Sequence, residues 1–328
     1  MVSTAILRQV GAVVILAGVL SLNGGTARGQ NVSGSSTHPH DPIDIDAPPI
    51  VSRLPMAPVR PRRLLLDADG GLIVADWAAG TISKITTQGT VRSLAADLSQ
   101  PAGLARDGMG NLYVATHAEG LTRSGTIVKL DASGERSIFA DGLTGPTGLV
   151  FDDNGYLYVA EFDANRIVKI NPVGEVTTLV DNIPSPAALA FGKDGSLYAA
   201  SSTEGTVYAI SAMGTATIVA RGLRIPSDLA TDSHGHLIVA NSGGRMLSYL
   251  DLKGHVRLYA AVPKGTIAIV FDADDNLLMA NWNQRLLMKV TTHLSAPCPH
   301  CGRLIPLRLN RKRQPKKRTP KPKPERII

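Results

Sequence analysis

Leu157-Tyr158-Val159-Ala160 is one of six copies of a short apolar string, Leu-x-x-Ala, that recurs along this chain of 328 residues. Successive copies begin 40 residues apart, except that the second and third are separated by 45. Self-similarity at a fixed period of this length is typical of a fold assembled from structural repeats. The copies begin at Leu72, Leu112, Leu157, Leu197, Leu237 and Leu277.

Each copy lies in the same sequence context. A glycine turn comes two residues before the string, with Asp275 in its place in the sixth copy. An alternating strand, a second glycine turn and a further strand such as 175–180 follow, so each unit predicts a four-stranded antiparallel meander. About eleven residues before each string stands Pro-x-x-Leu, to which Gly265-Thr266-Ile267-Ala268 corresponds in the sixth copy; the prolines are Pro61, Pro101, Pro146, Pro186 and Pro226.

The burial pattern of these strands predicts how the units pack. The Leu-x-x-Ala strand is apolar on consecutive residues, so both of its faces must be covered. Six sheets packed face to face around an axis would cover them all, which predicts an all-β, six-bladed β-propeller over residues 50–293. The sixth unit has no fourth strand of its own, but 51–54 matches 91–94 at a shift of forty. An N-terminal strand is therefore predicted to complete the last blade and close the ring.

The first 49 residues predict export. Arg8 precedes an uncharged apolar stretch, Val10 to Leu22, and a region of small residues that ends near Gly29. This order is typical of a signal peptide over residues 1–29, which predicts a secreted or periplasmic protein with no membrane span in the mature chain. Residues 30–49 lack apolar periodicity and are expected to form a flexible lead-in.

Residues 294–328 predict a Cys-x-x-Cys knuckle followed by a disordered basic tail. Cys298 and Cys301 are the only cysteines, and they suit either a disulfide or one half of a zinc site. From Arg303 onward there are eleven Lys or Arg and one acid, so the rest of the chain is near −3 although the whole is +7. The tail is expected either to bind an anionic surface or polymer or to be merely solvated.

Polar and aromatic residues follow the second strand of each unit, where the loops would open on one face, called the top face here. Asp228 joins them because it replaces the Gly found at Gly103 and Gly148. Such polar side chains either cap the strand through backbone hydrogen bonds or form a site. As a site they would bind Ca²⁺ or Mg²⁺ through hard oxygen donors, the tentative ligands being Asp76, Glu161, Asp228, Asn241 and Asn281.

The same rim contains aromatic residues and a histidine. Trp77 and Trp282 belong to units one and six, which ring closure would make neighbours. Together the two side chains could form an apolar wall or a platform on which a sugar stacks. His117, beside the five-residue insertion of unit two that contains Glu119, is either a general base or an ordinary surface histidine. The predicted binding residues are Asp76, Trp77, Glu161, Phe162, Asp228, Asn241, Asn281 and Trp282.

The unit from Pro146 to Ile170 resembles an NHL repeat and is similar to the repeat of virginiamycin B lyase-like propellers. The resemblance covers about 240 of the 328 residues and implies the propeller fold. The wider gluconolactonase-like group implies a divalent cation in the central channel. The catalytic histidine arrangement of the lyases is not found here, because His234 and His236 fall at the opposite end of the strand.

Two functions follow as hypotheses. The first is an exported NHL-type binding module that engages a protein or a carbohydrate through its top face. The second is a divalent-metal-dependent hydrolase or lyase of the gluconolactonase-like or virginiamycin B lyase-like type, with the five oxygen donors as ligands and His117 as the candidate base.

Overall fold

The computed structural model of this chain describes residues 50–56, 58, 60–117, 124–233, 235–250 and 255–291. The predicted signal peptide, lead-in, cysteine knuckle and basic tail lie outside these residues, as does the insertion at 118–123 with Glu119. Within the described ranges all regular structure is β-strand, and no helix there could cross a membrane. Twenty-four strands form six four-stranded antiparallel sheets, which confirms the predicted six-bladed β-propeller.

The blades follow the chain from the N-terminus, and each begins with its innermost strand. Blade one consists of β2 (Pro61–Leu66), β3 (Leu72–Asp76), β4 (Thr81–Ile85) and β5 (Val91–Ala95). Blade two consists of β6 (Gly103–Arg106), β7 (Leu112–His117), β8 (Ser124–Leu130) and β9 (Arg136–Thr144). Blade three consists of β10 (Pro146–Phe151), β11 (Leu157–Glu161), β12 (Arg166–Ile170) and β13 (Val176–Asp181).

The remaining blades repeat this order. Blade four consists of β14 (Pro186–Phe191), β15 (Leu197–Ser201), β16 (Thr206–Ile210) and β17 (Ala216–Ala220). Blade five consists of β18 (Pro226–Thr231), β19 (Leu237–Asn241), β20 (Met246–Leu250) and β21 (Val256–Ala261). Blade six consists of β22 (Thr266–Phe271), β23 (Leu277–Asn281), β24 (Leu286–Thr291) and, as its outer strand, β1 (Ile50–Arg53).

Apolar side chains from neighbouring blades form six buried clusters, one at each blade interface. The second strands supply much of this core, because every residue of β3, β11, β19 and β23 is buried. At the interface that closes the ring, Leu64 and Val74 of blade one pack with Ala268 and Leu278 of blade six. Each blade is thus shielded from water by both of its neighbours.

The N-terminal strand completes blade six as predicted. β1 pairs antiparallel with β24, with Ser52 opposite Lys289 and Arg53 opposite Met288. The amide of Leu54 extends the ladder by donating to the carbonyl of Leu287 at 3.1 Å, and the Leu54 side chain packs against the cluster between blades one and six. The two ends of the propeller are therefore joined within one sheet, and its last edge is covered.

The sixth copy follows the repeat with two local differences. Asp275 adopts φ 57° in the turn where the other copies have glycine, and its amide donates to the carbonyl of Asp272 as in those copies. Asp tolerates this left-handed backbone better than most residues. Thr266 pairs with Asn281 as Pro226 pairs with Asn241, so the Pro-x-x-Leu counterpart starts at Thr266, and the predicted start at Gly265 was wrong by one residue.

The second, third and fourth strands of blade two, β7, β8 and β9, are longer than their counterparts in the other blades. β7 and β8 pair as far as His117 and Gly125, and β8 and β9 pair as far as Ser124 and Thr144. The longer strands extend blade two at the top face, where His117 ends the second strand.

Deleting residues 50–58 removes the outer strand of blade six together with the packing of Leu54 and Met56. We expect the melting temperature to fall by about 5–10 °C, since losing a few kcal/mol in a domain of this size lowers it by that amount. The exposed edge of β24 should also promote self-association, which light scattering would measure. Deleting residues 30–38 is the control, and an unchanged melting temperature after the 50–58 deletion would contradict closure by β1.

Acid should destabilise the propeller through its turn aspartates. Hydrogen bonds from the hydroxyl of Ser133 lower the pKa of Asp131, and those from Ser196 lower the pKa of Asp194. A carboxyl whose folded pKa is depressed stabilises the fold above its unfolded pKa of about 3.9 and loses that contribution as the pH falls further. Urea unfolding at pH 5 and at lower pH should therefore show a smaller loss of stability in Asp131→Asn/Asp194→Asn than in the parent.

Candidate functional site

The polar residues that end the second strands are buried and bind backbone amides. Asp76 is 1% exposed, and its Oδ1 accepts from the amides of Arg60 at 2.9 Å and Ala79 at 3.1 Å. These bonds fix the segment that enters blade one and the turn that follows β3. Asp76 thus caps the top end of its strand, which is one of the two roles that the sequence allowed.

The corresponding residues of blades three, five and six make the same kind of contact. Asn281 Oδ1 accepts from the amide of Gln284 at 2.8 Å, and Asn241 Oδ1 accepts from the amide of Arg224 at 3.1 Å. Glu161 accepts from the amide of Thr144 and from Nε of Arg166. Each of these oxygens therefore connects its strand end to a neighbouring loop.

The structure does not bring the three carboxylates among the predicted metal ligands together as a cluster. Among the described residues, no group of three or more His, Cys, Asp or Glu side chains is placed to hold a metal ion. Asp76, Glu161 and Asp228 all lie within the described ranges, so these three carboxylates do not converge. Binding of Ca²⁺ or Mg²⁺ by the five oxygen donors stays a prediction.

Asp228 forms a buried ion pair with Arg63, whose Nη1 donates to Asp228 Oδ1. The two side chains are only 6% and 8% exposed. The carboxylate also accepts from the amides of Leu229 at 3.0 Å and Ile269 at 2.9 Å. Burial raises the pKa of Asp228, while the charge of Arg63 and these amides act in the opposite direction. The carboxylate already has a cationic partner, and that partner comes from the protein itself.

The ion pair lies across the axis of the ring. Arg63 belongs to the inner strand of blade one, Asp228 to that of blade five, and Ile269 to that of blade six. Arg63 Nη2 donates to the carbonyl of Ala187, in the inner strand of blade four, at 2.9 Å. In a ring of six, blade four lies opposite blade one, so the guanidinium spans the centre. These hydrogen bonds connect blades one, four, five and six at the same height along the axis.

The sequence contained an overlooked signal for this pair. Arg63 and Asp228 occupy the same repeat position, two residues after the start of the inner strand, where the other blades have Gly or Ala. Opposite charges at equivalent positions of two repeats indicate that they meet near the axis. Asp228 was recognised as an exception to the repeat, but Arg63 and the adjacent Arg62 were not.

The predicted aromatic pair is present at the top face. The ring centroids of Trp77 and Trp282 are 5.8 Å apart with the planes tilted by 51°, and both residues are half-buried. Arg60 lies beside them, because its carbonyl accepts from the amide of Trp77 at 2.9 Å and its Cζ is 5.2 Å from the centroid of the Trp282 ring. Phe162 is also half-buried at the rim. Blades one and six therefore share an aromatic surface flanked by a cation.

His117 connects two blades at the same rim. Its Nε2 lies 2.8 Å from the carbonyl oxygen of Pro146, the first residue of blade three. A carbonyl only accepts, so this nitrogen carries the proton. Burial lowers the pKa of His117, and the charge of Arg62 acts in the same direction, so the ring is neutral at pH 7. Ser202 makes the equivalent contact to the carbonyl of Pro226, which shows that this position links neighbouring blades.

A groove that the sequence did not predict lies at the opposite, bottom face between blades two and three. It has a volume of about 610 Å³ and is lined by apolar, acidic and basic side chains, among them Met109, Phe139, Asp152 and Lys129. It is remote from the residues predicted to bind ligand, which lie at the top face.

Removing one partner of the axial ion pair, Arg63 or Asp228, should destabilise the folded protein. Arg63→Met leaves a buried carboxylate and Asp228→Leu leaves a buried guanidinium, so each should lower the free energy of unfolding by about 3–5 kcal/mol. Urea denaturation would measure this loss. The double variant Arg63→Met/Asp228→Leu should lose much less than the sum of the two, because neither charge remains unpaired.

Asp69→Asn is the control, because its pair with Lys84 is solvent-exposed and should contribute almost nothing. Losses that simply add in the double variant would show that Arg63 and Asp228 are not coupled.

Comparison with solved structures finds this propeller in proteins of different activities. No protein-family model and no curated protein sequence matches the chain. A catalytically inactive virginiamycin B lyase from Staphylococcus aureus with quinupristin is 19% identical, with a TM-score of 0.58 over 73% of this chain and 83% of that one. A gluconolactonase from Xanthomonas campestris is 18% identical, with a TM-score of 0.62 over 74% and 89%. An auxiliary nutrient binding protein from Bacteroides ovatus is 14% identical, with a TM-score of 0.62 over 72% and 70%.

Likeness at this level of identity concerns the fold and not the site. The chain is a six-bladed β-propeller, similar in architecture to the virginiamycin B lyase and gluconolactonase-like propellers.

Proposed function

We propose that this protein is a binding module whose top face engages a protein or a carbohydrate ligand. The observation that supports this proposal best is the pair Trp77–Trp282, which leaves two aromatic rings partly exposed at one rim with centroids 5.8 Å apart. Partly exposed tryptophans offer a large apolar face at low entropic cost, which suits sugar rings and apolar side chains. Arg60 adds a charged donor at the edge of the same surface.

The engaged state of the candidate catalytic groups also favours binding over catalysis. His117 donates a hydrogen bond from Nε2 to a backbone carbonyl, Asp228 is paired with Arg63, and Glu161 is paired with Arg166. Asp228 or Glu161 would have to exchange such a partner for a metal ion, which carries an energetic cost. Binding through the aromatic pair requires no such exchange. A fold neighbour described as an auxiliary nutrient binding protein is consistent with this role.

The alternative is a divalent-metal-dependent hydrolase or lyase, a class favoured by the shared fold with a gluconolactonase and a virginiamycin B lyase. Metal analysis after mild dialysis separates the two. One tightly held Ca²⁺ or Mg²⁺ that is lost in Asp228→Ala would support the enzyme, whereas no bound divalent metal at millimolar supply would exclude it.

Export and the roles of the chain ends are further parts of this proposal. We infer from the N-terminal segment that the protein is secreted or periplasmic. The basic tail would hold it near an anionic surface or polymer, and Cys298 and Cys301 would form a disulfide or bind zinc with a partner chain. These inferences rest on the sequence.

The aromatic pair offers a direct assay, because the chain has two tryptophans and both belong to it. Titration with a panel of oligosaccharides and peptides should include ligands that change the tryptophan emission in a saturable way. Trp282→Ala should weaken such a ligand about tenfold in calorimetry, as expected for an aromatic residue at the centre of a contact.

Tyr156→Ala provides the matched control, since Tyr156 is a half-buried aromatic at the bottom face with Lys169 over its ring at 4.0 Å. It should leave affinity unchanged. An equal loss of affinity in both variants, or a ligand whose affinity is unchanged in Trp282→Ala, would be inconsistent with a top-face site.

A further inference from the structure

The inner strands contain four charged residues, and three of them are paired. These strands are described completely, and their charged residues are Arg62, Arg63, Arg106 and Asp228. Arg63 pairs with Asp228, and Arg106 pairs with Asp67. Arg62 has no hydrogen-bond or salt-bridge partner among the described residues. One guanidinium near the axis therefore has no direct hydrogen-bond or ion-pair partner in the part of the chain that the structure describes.

The strand register places Arg62 at the top of the channel. Pro61 pairs with Asp76 and Arg63 with Ala75, so Arg62 is the extra residue of a β-bulge, one position from the residue opposite Asp76. Trp77 follows Asp76 directly. The charge of Arg62 acts on His117 at the rim and on Asp228 at the axis, so Arg62 lies within electrostatic reach of both. Arg62 is half-buried, and its backbone lies below the level of Asp76 and Trp77.

The local charge balance favours an anion. Arg62, Arg63 and Asp228 together carry one excess positive charge. Burial, together with the charge of Arg63, lowers the pKa of Arg62 to about 10, so the group stays protonated at neutral pH in surroundings that disfavour its charge. Nε of Arg63 is also buried with no acceptor among the described residues. An oxyanion in the channel would supply both missing partners.

We propose that Arg62 binds the carboxylate of an acidic saccharide whose sugar ring packs on the Trp77–Trp282 pair. This inference rests on the proposed binding function and assigns the ligand class. A guanidinium presents parallel N–H donors that match a planar carboxylate in a bidentate pair. A half-buried cation below a rim favours a ligand that projects a single acid group into the channel, and the aromatic faces above it suit a pyranose ring.

Calorimetry of the full chain with tri-galacturonate and its methyl ester would test this assignment, because esterification removes the negative charges and keeps the three sugar rings. We expect the acid to bind at least about tenfold more tightly than the ester, as charge-assisted bidentate pairing implies. Arg62→Gln should remove that difference and leave the affinity for the ester unchanged. Arg92→Gln, at an exposed position of the outer strand of the same blade, should behave like the parent protein.

Thermal melting provides a second readout that does not depend on the aromatic pair. Arg62→Gln removes an unpaired, partly buried charge, so the ligand-free variant should melt no lower than the parent. Sodium galacturonate should raise the melting temperature of the parent more than galactose at equal concentration and constant ionic strength, because a ligand that binds only the folded state stabilises it. The variant should not distinguish the two sugars.

The outcomes separate this inference from the proposed function. If acid and ester bind equally and Arg62→Gln changes nothing, the anion site is wrong while the top-face binding module stands. If galacturonate stabilises the protein through Arg62 but no saccharide changes the tryptophan emission, the anion site stands and the aromatic contact fails. Binding of a glutamate-rich peptide in place of the saccharides would overturn the ligand class.

Discussion

The packing of each blade against both neighbours is the constraint on which this structure depends. A second strand that is buried on both faces cannot exist in an isolated sheet, so the six blades require a closed ring. The inner strands approach so closely that a Cβ added at Gly103 would lie 2.0 Å from the carbonyl oxygen of Thr147. Closeness at the axis leaves little room there for large side chains.

Arg63 and Asp228 fit into this crowded axis as a pair. Either residue alone would place an uncompensated charge among apolar strands. Together they neutralise each other, and they also form hydrogen bonds with the backbone of blades four and six. Their interaction fills the centre with a cation that belongs to the chain. The proposed ligand site therefore lies closer to the rim, where Trp77, Trp282 and Arg62 are found. The fold and the proposed ligand class thus depend on the same inner strand, β2.

Features that repeat along the chain could be predicted, and features that connect distant repeats could not. The period, the four-stranded unit, the closing strand and the neighbourhood of Trp77 and Trp282 all follow from position within the repeat. The sixth copy lacks its proline, which is why its register was misplaced by one residue. Asp76 and Asn281 use residue types that serve equally as strand caps and as metal ligands, so only geometry could separate the two roles.

The origin of the last blade also affects how the protein folds. β1 is made near the start of synthesis, yet Ser52 bonds to Lys289, 237 residues later. Closing so long a loop costs roughly 3 kcal/mol more in chain entropy than forming a hairpin within a blade. The first five blades can form as the chain is synthesised, but the sixth must await nearly the whole chain. A chain truncated before β24 therefore cannot pair β1 or close the ring, so ring closure distinguishes such chains from those that contain all six blades.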